Sequence, residues 1–143
     1  MLHINYPQYN FRLKKEKDKD FIFDVVRHQW IVLTPEEWIR QNFLQYLIQV
    51  KNYPPSLLSI EKMISLGELK KRCDIVVYKN QLPWMIVECK EMNIDLRLPV
   101  MEQILRYNLA LPVKYLVLTN GKNTFAFEVS QNGLIEINEL PLY

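Results

Sequence analysis

Two short runs rich in Ile and Val, Arg72 to Tyr78 and Trp84 to Cys89, lie only five residues apart and constrain the fold of this chain more than any other feature. Each is dense enough in apolar residues to form a central strand buried on both faces. A hairpin centred on Gln81 pairs residues whose numbers sum to 162, which sets Asp74 opposite Glu88 and Cys73 opposite Cys89. Directly opposed side chains have Cβ atoms about 4.5–5.5 Å apart and share a face. Lys90, two residues beyond Glu88, falls on that same face. On this register two acids and a lysine end a central hairpin, with the two cysteines opposed on the face behind them.

The rest of the chain supplies a setting for that hairpin. Phe11 to Lys15, Phe21 to Arg27 and Trp30 to Leu33 read as a meander of short strands, with a charged turn at Glu16 to Asp20. Thr34-Pro35-Glu36-Glu37 opens a helix: Thr34 as N-cap, Pro35 in the first turn, and Glu37 completing a capping box. The helix extends to about Val50, because Pro54-Pro55 forbids continuation. Its apolar stripe is Ile39, Phe43, Tyr46, Leu47 and Val50. At 100° per residue Glu36 falls in the middle of that stripe and Glu37 well to one side.

Leu57 to Leu66 reads as an edge or half-buried strand. A second helix is expected from Pro99 to Leu111, followed by a buried strand at Tyr115 to Thr119. Asn120-Gly121 is a two-residue hairpin signal leading into Thr124 to Val129, and Asn132-Gly133 turns the chain into a last strand. The segment from Trp84 through the second helix to Thr119 should form a right-handed βαβ crossover. The expected fold class is therefore α/β (α+β), a mixed central sheet flanked by helices. The 143 residues are expected as a single domain, with an N-terminal β extension at 1–33, a core at 34–129 and a C-terminal strand and tail at 130–143.

Composition excludes several functions. Three glycines in the whole chain leave no glycine-rich phosphate loop of either common kind, so a nucleotide-driven motor is not expected. Two cysteines and two histidines, scattered as Cys73, Cys89, His3 and His28, do not make a four-ligand zinc site. A net charge of +2 is too small to diagnose nucleic-acid binding. No apolar run approaches the roughly 18 residues of a membrane span, and Met1 to Phe11 lacks a signal-peptide layout. Cytoplasmic residence without membrane attachment is the expectation.

Two carboxylates held on one face repel unless a cation lies between them. Such a pair suits Mg²⁺, or Mn²⁺, which prefers oxygen ligands and keeps several waters. With a lysine beside it, the arrangement fits metal-assisted hydrolysis of a phosphodiester. Glu36, turned inward, would add a third oxygen. Against this, Glu-x-Lys is common on half-exposed strands, where it forms an ion pair worth little. The setting favours chemistry, since Glu88 follows the buried run Trp84 to Val87 and Asp74 immediately precedes Ile75-Val76-Val77. First-turn acids also favour the helix dipole, so Glu36 stays open between the two roles, while Glu37 fits capping better than ligation.

Three segments together, Thr34-Pro35-Glu36-Glu37-Trp38-Ile39-Arg40-Gln41, Leu69-Lys70-Lys71-Arg72-Cys73-Asp74-Ile75-Val76-Val77-Tyr78 and Ile86-Val87-Glu88-Cys89-Lys90, resemble the N-terminal nuclease domain of type I restriction enzyme R subunits. That family belongs to the PD-(D/E)xK nuclease superfamily. The likeness continues through Gln103-Ile104-Leu105-Arg106-Tyr107 and Tyr115 to Gly121, covering Thr34 to Val129. It implies a restriction-endonuclease-like fold and a divalent-metal-dependent DNA nuclease. It further implies Asp74, Glu88 and the Cys89 backbone carbonyl as metal ligands, Lys90 as the catalytic lysine, and Glu36 at the acidic position of the first helix. Gln103 and Tyr107 match a Gln-x-x-x-Tyr element on one helix face, placed to touch DNA or to brace Lys90; Tyr107 in the core with Gln103 bonded at its edge is the competing assignment. Cys73 stands where the superfamily carries proline.

Lys70, Lys71, Arg72, Arg97 and Arg106 are positioned to contact phosphates or simply to form a solvated face. Tyr9, Phe11, Phe21, Phe23 and Trp30 fit a small apolar core or a dimer contact better than base stacking. No helicase motor follows, so the expected partners are DNA and either a second copy in a homodimer or a separate targeting or motor subunit. A non-catalytic DNA-binding or assembly subunit on the same fold is the alternative.

Overall fold

The computed structural model describes residues 1–143. The N-terminal meander forms its own antiparallel sheet of β1 (Leu13–Glu16), β2 (Lys19–Asp24) and β3 (Gln29–Val32). Lys17 and Asp18 both take positive φ, so the charged stretch closes β1 and β2 as a tight turn. β2 stops at Asp24, earlier than expected, because its carboxylate accepts the backbone N–H groups of Val26 and Arg27 at 2.8 Å each.

The second sheet has six strands in the order β4-β5-β6-β7-β8-β9: β4 (Leu58–Leu66), β5 (Leu69–Lys79), β6 (Leu82–Cys89), β7 (Tyr115–Thr119), β8 (Thr124–Ser130) and β9 (Gly133–Ile137). Only β6 and β7 run parallel, joined through helix α2 (Leu98–Ala110), so the sheet is mixed as expected. Helix α1 (Pro35–Gln49) and α2 pack into separate hydrophobic clusters, one built on Phe43, Leu47, Ile75, Val77 and Val87, the other on Ile104, Val76, Ile86 and Leu116. No helix is long and apolar enough to cross a membrane.

The central hairpin reaches the expected register by a different route. Its turn is Asn80-Gln81, both at positive φ, so Lys79 pairs with Leu82 and Tyr78 with Pro83. A bulge between Val77 and Tyr78 then shifts the ladder by one residue, giving Val77 opposite Met85 and Ile75 opposite Val87. Ladder pairing ends there, with Asp74 and Glu88 next along the two strands.

Three expectations are corrected. The β7–β8 connection is the four residues Asn120 to Asn123, not a two-residue turn: Asn120 Oδ1 accepts the N–H of Lys122 at 3.0 Å and of Asn123 at 2.7 Å. Gly121 is favoured there because its φ of +81° is one that L side chains rarely adopt, and a Cβ would also push on Ile39 Cδ1, 2.5 Å away. The cysteines are not opposed on one face, since Cys89 packs in the α1 cluster and Cys73 in the α2 cluster. The reason lies in β4 and β5, where Glu61 adopts φ +55 and drops out of the ladder between Ile60↔Ile75 and Lys62↔Cys73. Ile60 faces the α1 cluster and Ile64 the α2 cluster, so the alternation inverts across this point. Finally, Val50 ends outside the buried stripe and α1 buries Glu37, Arg40, Gln41 and Gln45 as well as its apolar residues. A helix covered by two sheets has two buried sides, and a single apolar stripe does not describe it.

Candidate functional site

The last residues of the ladder converge. Asp74, midway along β5, and Glu88, near the end of β6, are both buried just past the point where the ladder between the two strands stops, with Lys90 beside them and half-buried. Asp74 Oδ2 accepts the Cys89 backbone N–H at 2.7 Å, which ties β5 to β6 where ladder pairing has stopped. Its Oδ1 accepts Arg40 Nη1 at 3.0 Å from α1. Glu88 points toward α2: Oε1 accepts Gln103 Nε2 at 3.1 Å and pairs with Lys90 Nζ at 2.9 Å. Gln103 in turn donates to the Tyr107 hydroxyl at 2.7 Å, while the Tyr107 ring is buried in the α2 cluster. Tyr107 therefore lies in the core with Gln103 bonded at its edge, and Gln103 reaches Glu88, the partner of Lys90.

Glu88 Oε2 is buried with no hydrogen-bond partner. Leaving a carboxylate oxygen in that state is costly unless a cation or donor completes it. Burial pushes the Glu88 carboxyl up to about 8, the neighbouring Asp74 charge adds to the rise, and the Lys90 ammonium opposes it. Burial also raises Asp74, against the Cys89 N–H and the Arg40 guanidinium. Lys90 is held above its ordinary value because Glu88, Glu36 and Asp74 outweigh its own loss of hydration. A divalent cation is the group that would relieve two buried acids of this kind. Two carboxylates are the oxygen chemistry that Mg²⁺ takes.

Glu36 and Glu37 exchange the places expected of them. Glu36 is exposed in the first turn of α1 and makes no ion pair, although Asp74 raises its pKa and Lys90 lowers it, so it lies within electrostatic reach of both. Glu37 is the buried one. Its backbone N–H is capped by Thr34 Oγ1 at 3.0 Å, but its carboxylate does not return to Thr34. It is bound instead by Arg40 Nε at 2.9 Å, Arg27 Nη2 at 3.1 Å and Gln41 Nε2 at 3.1 Å. No group of three or more His, Cys, Asp and Glu side chains is arranged to hold a metal ion.

The remaining predicted residues stay at the surface. Lys70, Lys71 and Arg72 are exposed on β5, and Arg97 and Arg106 are exposed at the start and middle of α2. The N-terminal aromatics pair in two places, Phe23 edge-on to Trp30 at 5.4 Å and Phe11 against Trp38 of α1 at 5.1 Å. Arg12 and Lys14 lie over the Trp30 ring.

The chain matches, over residues 35–141, the family described as "Type I restriction enzyme R protein N terminus (HSDR_N)". It belongs to this family. No curated protein and no solved structure shows significant similarity to it. The matched segment of this HSDR_N chain begins with α1 and ends beyond β9, so it takes in Asp74, Glu88, Lys90, Gln103 and Tyr107 and leaves out the three-stranded sheet.

The sequence did not flag Arg40 as a site residue. The signal available was Glu37, Arg40 and Gln41 at i, i+3 and i+4 on one helix face, a spacing that permits mutual contact. Its partners Glu61 and Asp74 are distant in sequence, and nothing in the local pattern announces them.

Proposed function

We propose that this HSDR_N domain is a divalent-metal-dependent DNA nuclease that hydrolyses phosphodiester bonds in restriction or DNA processing. The observation that carries the reading is Glu88, a buried carboxylate with one oxygen unpartnered, set beside Asp74 and paired to Lys90 at a strand end. Asp74 and Glu88 would hold Mg²⁺ or Mn²⁺, with the Cys89 carbonyl and the nearby Glu36 as further oxygen donors. The ion, when bound, supplies Lewis-acid activation of the phosphodiester and of water. Lys90, half-buried and cationic, orients the attacking water and stabilises negative charge that develops on the phosphoryl group. Gln103 fixes Glu88 from α2, and Tyr107 fixes Gln103. Lys71 and Arg72, with Lys70 and Arg106, supply phosphate contacts; such contacts set affinity without a strongly basic chain.

The alternative is a non-catalytic DNA-binding or assembly subunit, the partner of a separate targeting or motor subunit; the outward Glu36 and the Arg40 and Cys89 donors already on Asp74 favour it. Plasmid and linear DNA incubated with Mg²⁺, with Mn²⁺ and with EDTA, beside Lys90→Ala, separate the two. Cleavage that requires the metal and Lys90 is expected. Intact DNA in every lane, together with salt-dependent gel retardation, points to the binding subunit.

A further inference from the structure

The buried ion-pair network around Arg40 does more than join the two sheets. Arg27, on the loop between β2 and β3, reaches three carboxylates: Asp24 at 2.7 Å through Nε, Glu37 at 3.1 Å through Nη2 and Glu61 at 3.1 Å through Nη1. Arg40 is bound by Glu37 on two of its nitrogens and by Glu61 at 3.4 Å, and gives its remaining nitrogen to Asp74 at 3.0 Å. Both guanidinium groups are nearly sequestered from solvent, with side chains 14% and 8% exposed. Asp24 is completed by Gln41 at 2.8 Å, which also holds Glu37.

Two guanidinium groups therefore serve four carboxylates. Each has a forked geometry that a lysine does not reproduce. If Arg27 is lost, Arg40 is the one cation left to Glu37 and Glu61, and they draw its guanidinium away from Asp74. The three-stranded sheet, although it lies outside the segment matched to the family, would then control an atom of the site.

We propose that Arg27 is a positioning residue for Asp74, acting through Glu37 and Arg40, so that the N-terminal sheet is part of the metal-binding apparatus. The proposal rests on the nuclease reading for its purpose but not for its geometry. The Cys89 backbone N–H, bonded to Asp74 Oδ2 at 2.7 Å, reports where that carboxylate sits in the absence of any metal. A short charge-assisted bond of this kind shifts the amide proton downfield and protects it from exchange.

The test uses the full chain. In Arg27→Gln the Cys89 amide resonance should move upfield and its exchange should accelerate about tenfold or more, a loss of about 1.4 kcal/mol in protection. Mn²⁺ affinity by calorimetry should fall about 10–100-fold, as for loss of a group that orients a ligand. Lys51→Met, which removes the ion pair of buried Lys51 with exposed Glu139, far from Asp74 in the chain, should lower stability without altering either readout. If Arg27→Gln does not fold, Arg27→Lys carries the same measurements, since it keeps the charge and loses the fork. A folded Arg27 variant with the wild-type Cys89 amide, or a Lys51→Met protein that shifts it equally, overturns the proposal. Absence of Mn²⁺ binding by the wild type would overturn the nuclease reading, and the amide measurement would still decide this one.

Discussion

Two pairs of buried acids stand in this small protein, and the chain treats them in opposite ways. Asp24 and Glu37 are saturated. Asp24 accepts four donors, from the Val26 and Arg27 backbones, Arg27 Nε and Gln41 Nε2, and Glu37 is gripped by both arginines and Gln41. Burial alone would raise both carboxyls, yet these partners hold them below their ordinary values. Asp74 and Glu88 are left short. Burial raises both, and Glu88 keeps an oxygen with no partner at all. A fold that can complete one pair so fully leaves the second incomplete where the ladder between its two central strands stops. Saturation marks a pair that fixes structure, and on the proposed function shortage marks a pair that a cation would complete.

The contrast can be broken most forcefully at the two cations. Lys90→Ala should abolish DNA cleavage, a loss of about 10²–10³-fold or more as for removal of a charge-stabilising donor, while lowering thermal stability only modestly, because Glu88, whose carboxyl burial already pushes up to about 8, takes up a proton when its partner is lost. Arg40→Ala should do far more to stability, lowering it by about 3–5 kcal/mol in urea unfolding, because it strands Glu37 and Asp74 without a counter-charge. Equal stability losses in the two variants would erase the distinction.

The next effect is metal protection. Mg²⁺ at about 100 times its Kd should stabilise the wild-type protein by about 2.7 kcal/mol, seen as a rise in Tm. Asp74→Asn should lose that rise. A Tm that responds to Mg²⁺ equally in both proteins would remove Asp74 from the ligand set.

pH separates the pairs by sign. A carboxyl raised by folding contributes stability below its unfolded value and loses it as pH climbs through its folded one. For Glu88 that window runs from about 4.5 to about 8, so metal-free protein should lose stability across it and Glu88→Gln should flatten the fall. Asp24 and Glu37 are lowered, so their contribution is present above the ordinary carboxylate range and disappears as pH falls below it. Asp24→Asn should therefore cost more at pH 7 than at pH 3. Thermal melts across pH give both slopes, and a common sign would dissolve the comparison. The smallest effect is the reference: Asp95→Ala, which breaks the exposed pair with Arg97, should leave Tm unchanged.

The strand pattern showed a reader of the sequence where the acids would meet, and it did so with a compensated slip. Placing the hairpin centre at Gln81 overlooked the turn at Asn80-Gln81, and the bulge at Val77/Tyr78 restored the register where it mattered. The inverted face at Glu61 was invisible, because alternation along a strand assumes a regular ladder and nothing local to Glu61 betrays φ +55. That inversion is why the two cysteines part company.

By itself, then, the sequence determined the order of elements, the mixed sheet and the convergence of Asp74, Glu88 and Lys90, because Ile and Val runs, helix caps and short connections act over a few residues. Gln103 and Tyr107 were legible for the same reason, as neighbours on one helix turn. Only the tertiary structure decided which first-turn glutamate is buried and what holds Asp74. The meander covers a second side of α1, so Glu37 is drawn inward by Arg27 from ten residues away and Arg40 reaches Asp74 across thirty-four. Burial of a polar side chain is set by what folds over it, and its partners come from elements that local periodicity does not connect.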